Sequence, residues 1–140
     1  MNIVAFCKEH LSMMGTQNGQ SGILSAQDDE RARGLEQALS FTGMVGDTVL
    51  VCAGVLEMWP GRYVAWAYVA PQAKRYWKSV HKAVKKFLVD LNARRVEMHV
   101  DCDFKAAHDW ALRLGFKMEC ERMEKFLPDG RDAALYARVT

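Results

Sequence analysis

The four cysteines of this 140-residue chain, Cys7, Cys52, Cys102 and Cys120, form no C-x-x-C pair and have no histidine at ligand spacing. That pattern speaks against a disulfide scaffold and against a zinc site, so the expectation is reduced, mostly buried thiols and no metal. There are only three prolines, and no internal repeat or low-complexity tract. No apolar run approaches the ~20 residues that cross a bilayer. The opening MNIVAFCKEHLSMMG lacks the basic lead, long apolar stretch and small-residue cleavage site of a secretion signal. A cytoplasmic location, without membrane contact, is the expectation. A formal net charge of +2 does not by itself imply a nucleic-acid partner.

Half of the residues are apolar, which suits a single domain of this length with one sizeable core. Ile3, Phe6, Cys7, His10, Leu11 and Met14 recur at three- and four-residue steps, predicting a short amphipathic helix. GTQNGQSGILS, from Gly15 to Ser25, reads as a surface loop. Ser25 and Asp28 have the spacing of a capping box, and the acidic Asp29 and Glu30 favour the start of a helix running to about Leu39.

The period then changes. Phe41 to Val45, Thr48 to Met58 and Arg62 to Ala70 are rich in valine, methionine and aromatics, and are separated by the turn signals GD and WPG. They predict three antiparallel strands. YVAWAYVA is almost wholly apolar, as for a central strand covered on both faces. From Gln72 to Asn92 a stripe of Val80, Val84, Phe87, Leu88 and Leu91 predicts a long helix. Strict alternation in RVEMHVD, Arg95 to Asp101, predicts a strand. Phe104, Ala107, Ala111 and Leu114 predict a second helix, which Gly115 can end in left-handed geometry. PDG at Pro128 to Gly130 marks a closing hairpin. The fold class is α/β (α+β), with a mixed sheet and a right-handed strand–helix–strand crossover.

This order resembles the GNAT acyltransferase fold from about Leu35 to the C-terminus. The marks are V-A-P at Val69 to Pro71, the long helix after it, the strand RVEMHVD, A-L-R-L-G-F at Ala111 to Phe116, and the closing L-Y-A-R-V. The resemblance implies one domain over residues 1–140, with a helical segment and loop over 1–34 and the family core over 35–140. Trp110, Leu112 and Gly115 are also similar to a helix ending in the short GNAT-like proteins encoded among the head and tail genes of short-tailed phages.

In the family's enzymes the turn after the central strand carries small residues, which let the backbone approach the coenzyme A pyrophosphate. Here Pro71 to Ser79 reads PQAKRYWKS, with Arg75, Trp77 and Ser79 at the three small positions. Side chains of this size are expected to block the approach. Val69, Lys74, Arg75 and Lys78 are the residues left to attract such a cofactor. Ala111 stands where the resemblance implies a tyrosine acid, and Phe104 where it implies an asparagine. Tyr136 and Tyr68 are possible substitutes, and Glu57, His99 and Asp101 are candidate bases on strands. His81 and His108, on helices, are expected to face solvent.

Eight lysines and arginines from Lys74 to Arg95 meet Asp90 alone. They describe a basic face for nucleic acid, for an acidic protein, or simply for water. Tyr76, Trp77 and Lys82 are candidate protein-contact residues. The leading expectation is therefore a non-catalytic, cofactor-free GNAT-fold protein of phage type. It would act through protein partners as a virion component, at a head–tail connection or as an internal protein, with homo-oligomerisation possible. The alternatives are an acetyl-CoA-dependent N-acetyltransferase with an atypical pyrophosphate loop, and an inhibitor directed at a host protein.

Overall fold

A computed structural model of the chain describes residues 1–14, 34–36 and 38–140. Among them, seven strands form one mixed sheet: β1 (Asn2–Val4), β2 (Leu39–Val45), β3 (Thr48–Trp59), β4 (Arg62–Val69), β5 (Arg95–Asp101), β6 (Lys117–Met123) and β7 (Ala133–Val139). Their spatial order is β1-β2-β3-β4-β5-β7-β6. Helix α1 spans Glu9–Met13, α2 Trp77–Leu91 and α3 Lys105–Arg113. A 3-10 turn over Pro71–Tyr76 leads into α2. No helix among the described residues is long and apolar enough to cross a membrane.

The antiparallel meander follows the turn signals. Gly61 closes the β3–β4 hairpin at φ +92°, a conformation that a side chain would strain. The alternation of β5 and the stripe of α2 set the main core. Val80, Val84 and Leu88 pack on the face of the sheet that carries Val51, Ala53 and Val55 of β3 with Val96 and Val100 of β5. Gly115, at φ +91°, ends α3 as its sequence predicts. On the opposite face, Phe6, Met14, Leu35, Cys52 and Tyr68 form a second cluster.

Three expectations change. Residues 2–4 do not begin a helix: Asn2, Ile3 and Val4 pair with Met44, Gly43 and Thr42 of β2. The open edge of β2 supplies ladder partners that the short helical pattern did not anticipate. The Gly15–Ser25 loop and most of the Ser25–Leu39 helix lie outside the described residues; 34–36 are helical, and Leu39 opens β2. Finally, β4 is central in the sheet yet only half-buried from Arg62 to Ala67.

That partial exposure has a geometric cause. β4 and β5 run parallel but pair at only three positions, Arg62↔Arg95, Tyr63↔Val96 and Val64↔Glu97. Past them the strands part. The closed end of the resulting V is held by charge. Arg62 Nε and Nη2 donate to the Glu97 carboxylate at 2.5 and 2.9 Å, and Arg95 Nε donates to it at 2.8 Å. Arg95 Nη1 also reaches Glu119 on β6 at 3.0 Å, while the Arg62 guanidinium lies 4.4 Å over the Trp59 ring. Hydrogen bonds from Arg62 are the main cause that lowers the Glu97 pKa from 4.5 to about 2; burial opposes them and Arg95 assists.

Because the folded-state pKa of Glu97 is depressed, its contribution is complete above pH 4.5 and is lost as pH falls towards about 2. Glu97→Gln is expected to cost ~1–3 kcal/mol at neutral pH, as for other hydrogen bonds to charged groups. Chemical denaturation at several pH values checks this: the difference between wild type and variant should shrink between pH 4.5 and 2.

Candidate functional site

The parting of β4 from β5 opens a cleft of about 520 Å³. Short side chains make room for it: Ala53 on β3, and Ala65 and Ala67 on β4, line one wall. Met98 to Asp101 of β5 line the other, and α2 and α3 close it with Trp77, Phe87, Leu88 and Trp110. Strand alternation divides its chemistry. Ala65, Met98 and Val100 share the sheet face that the helices cover, whereas Trp66, His99 and Asp101 belong to the opposite face. The Trp66 indole Nε1 is buried with no hydrogen-bond partner.

Of the five side chains named as acid or base, one reaches the cleft in a chemically available state. His99 lines it, with the Phe126 ring 4.6 Å away. The residue is exposed on the outer side of β5, and the partial desolvation of its ring against the cleft pushes the His99 pKa below 6.5; the Glu97 charge opposes this and Arg62 adds to it. The imidazole is therefore neutral at pH 7 and able to accept a proton. Asp101 also lines the cleft, but its Oδ1 accepts the Asp103 backbone N–H at 2.9 Å and its Oδ2 is ion-paired with Arg131. A carboxylate committed to those partners is poorly suited to act as a base. Glu57 is exposed on the outer part of β3, opposite Tyr63, and does not line the cleft.

Tyr136 is buried in the main core. Its oxygen lies 2.7 Å from His108 Nδ1, while His108 Nε2 lies 3.1 and 3.0 Å from the carbonyl oxygens of Asp101 and Cys102. Carbonyls only accept, so Nε2 carries the proton and the tyrosine hydroxyl donates to Nδ1. Burial raises the Tyr136 pKa. His108 thus bridges α3 to β5 and β7 instead of facing solvent. His81 is likewise half-buried, accepting the Trp110 indole N–H at 3.2 Å. Tyr68 belongs to the second core cluster, its ring 5.8 Å from Trp66.

The segment after β4 also departs from expectation. Val69 and Lys74 line the cleft. Arg75, Lys78 and Lys82 are exposed. Tyr76 and Trp77 are half-buried against the core. Trp77 turns in and meets Trp110 at 4.9 Å between ring centroids. The bulk expected to obstruct the approach of a pyrophosphate is, at this position, part of the cleft wall.

All four cysteines are free, and of them only Cys52 is buried. Burial raises its pKa to about 11, against the hydrogen bond to Thr42. Among the described residues no group of three His, Cys, Asp or Glu side chains is placed to hold a metal ion. Sequence reading missed the parts played by Trp66, Phe87, Trp110 and the alanines; the A-W-A run at 65–67 was the available signal for a strand with one narrow face.

No protein-family model and no curated sequence matches the chain. Solved structures do. Ard1 from Thermoplasma volcanium superimposes with a TM-score of 0.76 at 14% identity, covering 99% of this chain and 97% of that one. The ribosomal-protein-S18-alanine N-acetyltransferase of Escherichia coli gives 0.75 at 15% identity, over 99% and 92%. An acetyltransferase of the GNAT family from Bacillus anthracis gives 0.69 at 14%, over 98% and 93%. These structures lend no support to a place among phage virion proteins. At such low identity the likeness is one of architecture: the chain has the GNAT acetyltransferase fold.

Proposed function

We propose that this protein is an N-acyltransferase using a coenzyme A thioester. The observation that carries the proposal is the cleft between β4 and β5, with an apolar side and an available neutral imidazole. The residues present fit such a molecule. Lys74 at the mouth, with Arg75 and Lys78 exposed on the adjoining turn, supplies positive charge for phosphates. Trp66 Nε1, buried and unpartnered, is a donor for an oxygen of the ligand. The thioester would supply an activated acyl group, its carbon–sulfur bond breaking as the amine nitrogen bonds to the acyl carbon and coenzyme A leaving as the thiol.

The chain's own part is positioning and proton transfer. His99 takes the proton of an amine that enters from its side of the sheet, and the ring of Phe126 holds the imidazole in place. Tyr136 and His108 fix the β5–β7–α3 junction behind the cleft through the hydrogen bonds described above. Asp101 and Arg131 tie the loop after β6 to the end of β5. A fold kept solely for protein contact is the weaker reading: the structural neighbours are acetyltransferases, and two of its three contact candidates, Tyr76 and Trp77, are half-buried against the core while Lys82 is exposed.

Calorimetric titration with acetyl-CoA is expected to give a micromolar Kd, and absence of binding at millimolar concentration would contradict the proposal. His99→Ala should lower kcat/KM by ~10²–10⁴, the usual contribution of a general base. Wild-type kcat/KM should fall as pH drops through the His99 pKa, which lies below 6.5. The variant should lose that inflection; an unchanged pH profile in steady-state assays would remove His99 from the mechanism.

A further inference from the structure

The cleft offers more apolar room than an acetyl group requires. Its mouth lies at the C-terminal ends of β4 and β5, by Val69, Lys74 and Trp77, and its closed end lies near the Val64↔Glu97 pair. Phe87 and Leu88 also line it, and ten residues separate Trp77 from Phe87, or ~15 Å of helix axis. The cavity therefore extends well along the underside of α2.

On that side the closed end is walled by Ala65, Met98, Phe87, Leu88, Leu114 and Phe116, with no polar side chain among them. Space is left open where a core would ordinarily be filled. Ala53 lies between the fully buried Val51 and Val55 on the same face of β3, and Ala65 and Ala67 continue the narrow strip on β4. Unfilled apolar volume is costly to stability, and a cavity with such a lining favours an apolar guest over water. The polar groups, His99, Asp101 and the Trp66 indole, belong to the other face of the sheet. A thioester held where the strands part would thus meet its amine on one side and have an apolar chamber on the other.

We infer that the acyl group carried by this site is a medium-length aliphatic chain, seated under α2 against Phe87, Leu88, Leu114 and Phe116. The inference rests on the thioester reading above and names its substrate class.

Titration of the full chain with CoA, acetyl-CoA and octanoyl-CoA, followed by calorimetry and by the emission of the cleft tryptophans, tests it. Burial of each methylene is worth roughly fourfold in affinity, so even partial burial of the longer chain should make octanoyl-CoA bind at least about thirtyfold more tightly than acetyl-CoA. Ala65→Leu, which fills the chamber from a half-buried position, should cost octanoyl-CoA at least about tenfold more affinity than acetyl-CoA. Ala53→Val is a smaller filling that should act in the same direction. Equal affinities for acetyl-CoA and octanoyl-CoA would overturn the inference and leave the thioester reading intact. Failure of all three ligands to bind would overturn both.

Discussion

Three residue pairs hold β4 to β5, and the remainder of the molecule is arranged around that short contact. Parallel strands have no hairpin to secure them, so their junction depends on the ladder, the crossover helix and whatever side chains bridge them. Here Glu97 between Arg62 and Arg95 performs the bridging, and Arg95 extends it to Glu119 on β6. The charges are satisfied by one another at the edge of the core, which makes breaking one of them costly even though the pair as a whole is no large source of stability. A longer ladder would close the cleft. A weaker clamp would leave the two halves of the sheet connected mainly through α2.

The cleft and the stability of the fold draw on the same residues. Val84 and Leu88 belong to the main core and also line the cavity, so the helix that covers the sheet also roofs the site. Alanines on β3 and β4 give up packing to keep that volume open. On the far side the buried charge of Asp101 is neutralised by Arg131, and a neutral imidazole is left beside it. Tyr136 and His108 close the polar accounting behind β5, with each proton assigned by its partner. Apart from Lys74 at the mouth, the polar side chains of the cleft are thus confined to a few positions on one face, while the rest of the lining is apolar.

Much of the architecture was legible locally. The 3.6-residue stripe of α2, the alternation of β5 and the turns at Gly61 and Gly115 are properties of short segments, and each is present, although α2 starts at Trp77 and not at Gln72 because a 3-10 turn occupies Pro71–Tyr76. What failed were readings that need a neighbour. YVAWAYVA looks like a strand covered on both faces, and only the divergence of β5 leaves its first residues half-open. Trp77 looked like an obstruction or an anchor because its partner, Trp110, is 33 positions away in the chain. His108 looked like a surface histidine until Tyr136 supplied its hydrogen bond. The strand at residues 2–4 exists because β2 has an open edge, which no pattern within those residues encodes. Of the residues that line the cleft, Val69, Lys74, His99 and Asp101 were visible as candidates, whereas the apolar chamber arises from residues on β3, β4, α2, β5 and the turn between α3 and β6 brought together by the fold.

The central claim, that a thioester enters between β4 and β5, is most directly tested by two-dimensional NMR of the labelled chain during addition of acetyl-CoA. The backbone amides of 65–69 and 98–101 and the Trp66 indole N–H should shift together and saturate at one stoichiometric equivalent. Shifts confined to the exposed lysine face of α2, with the Trp66 indole unmoved, would contradict it.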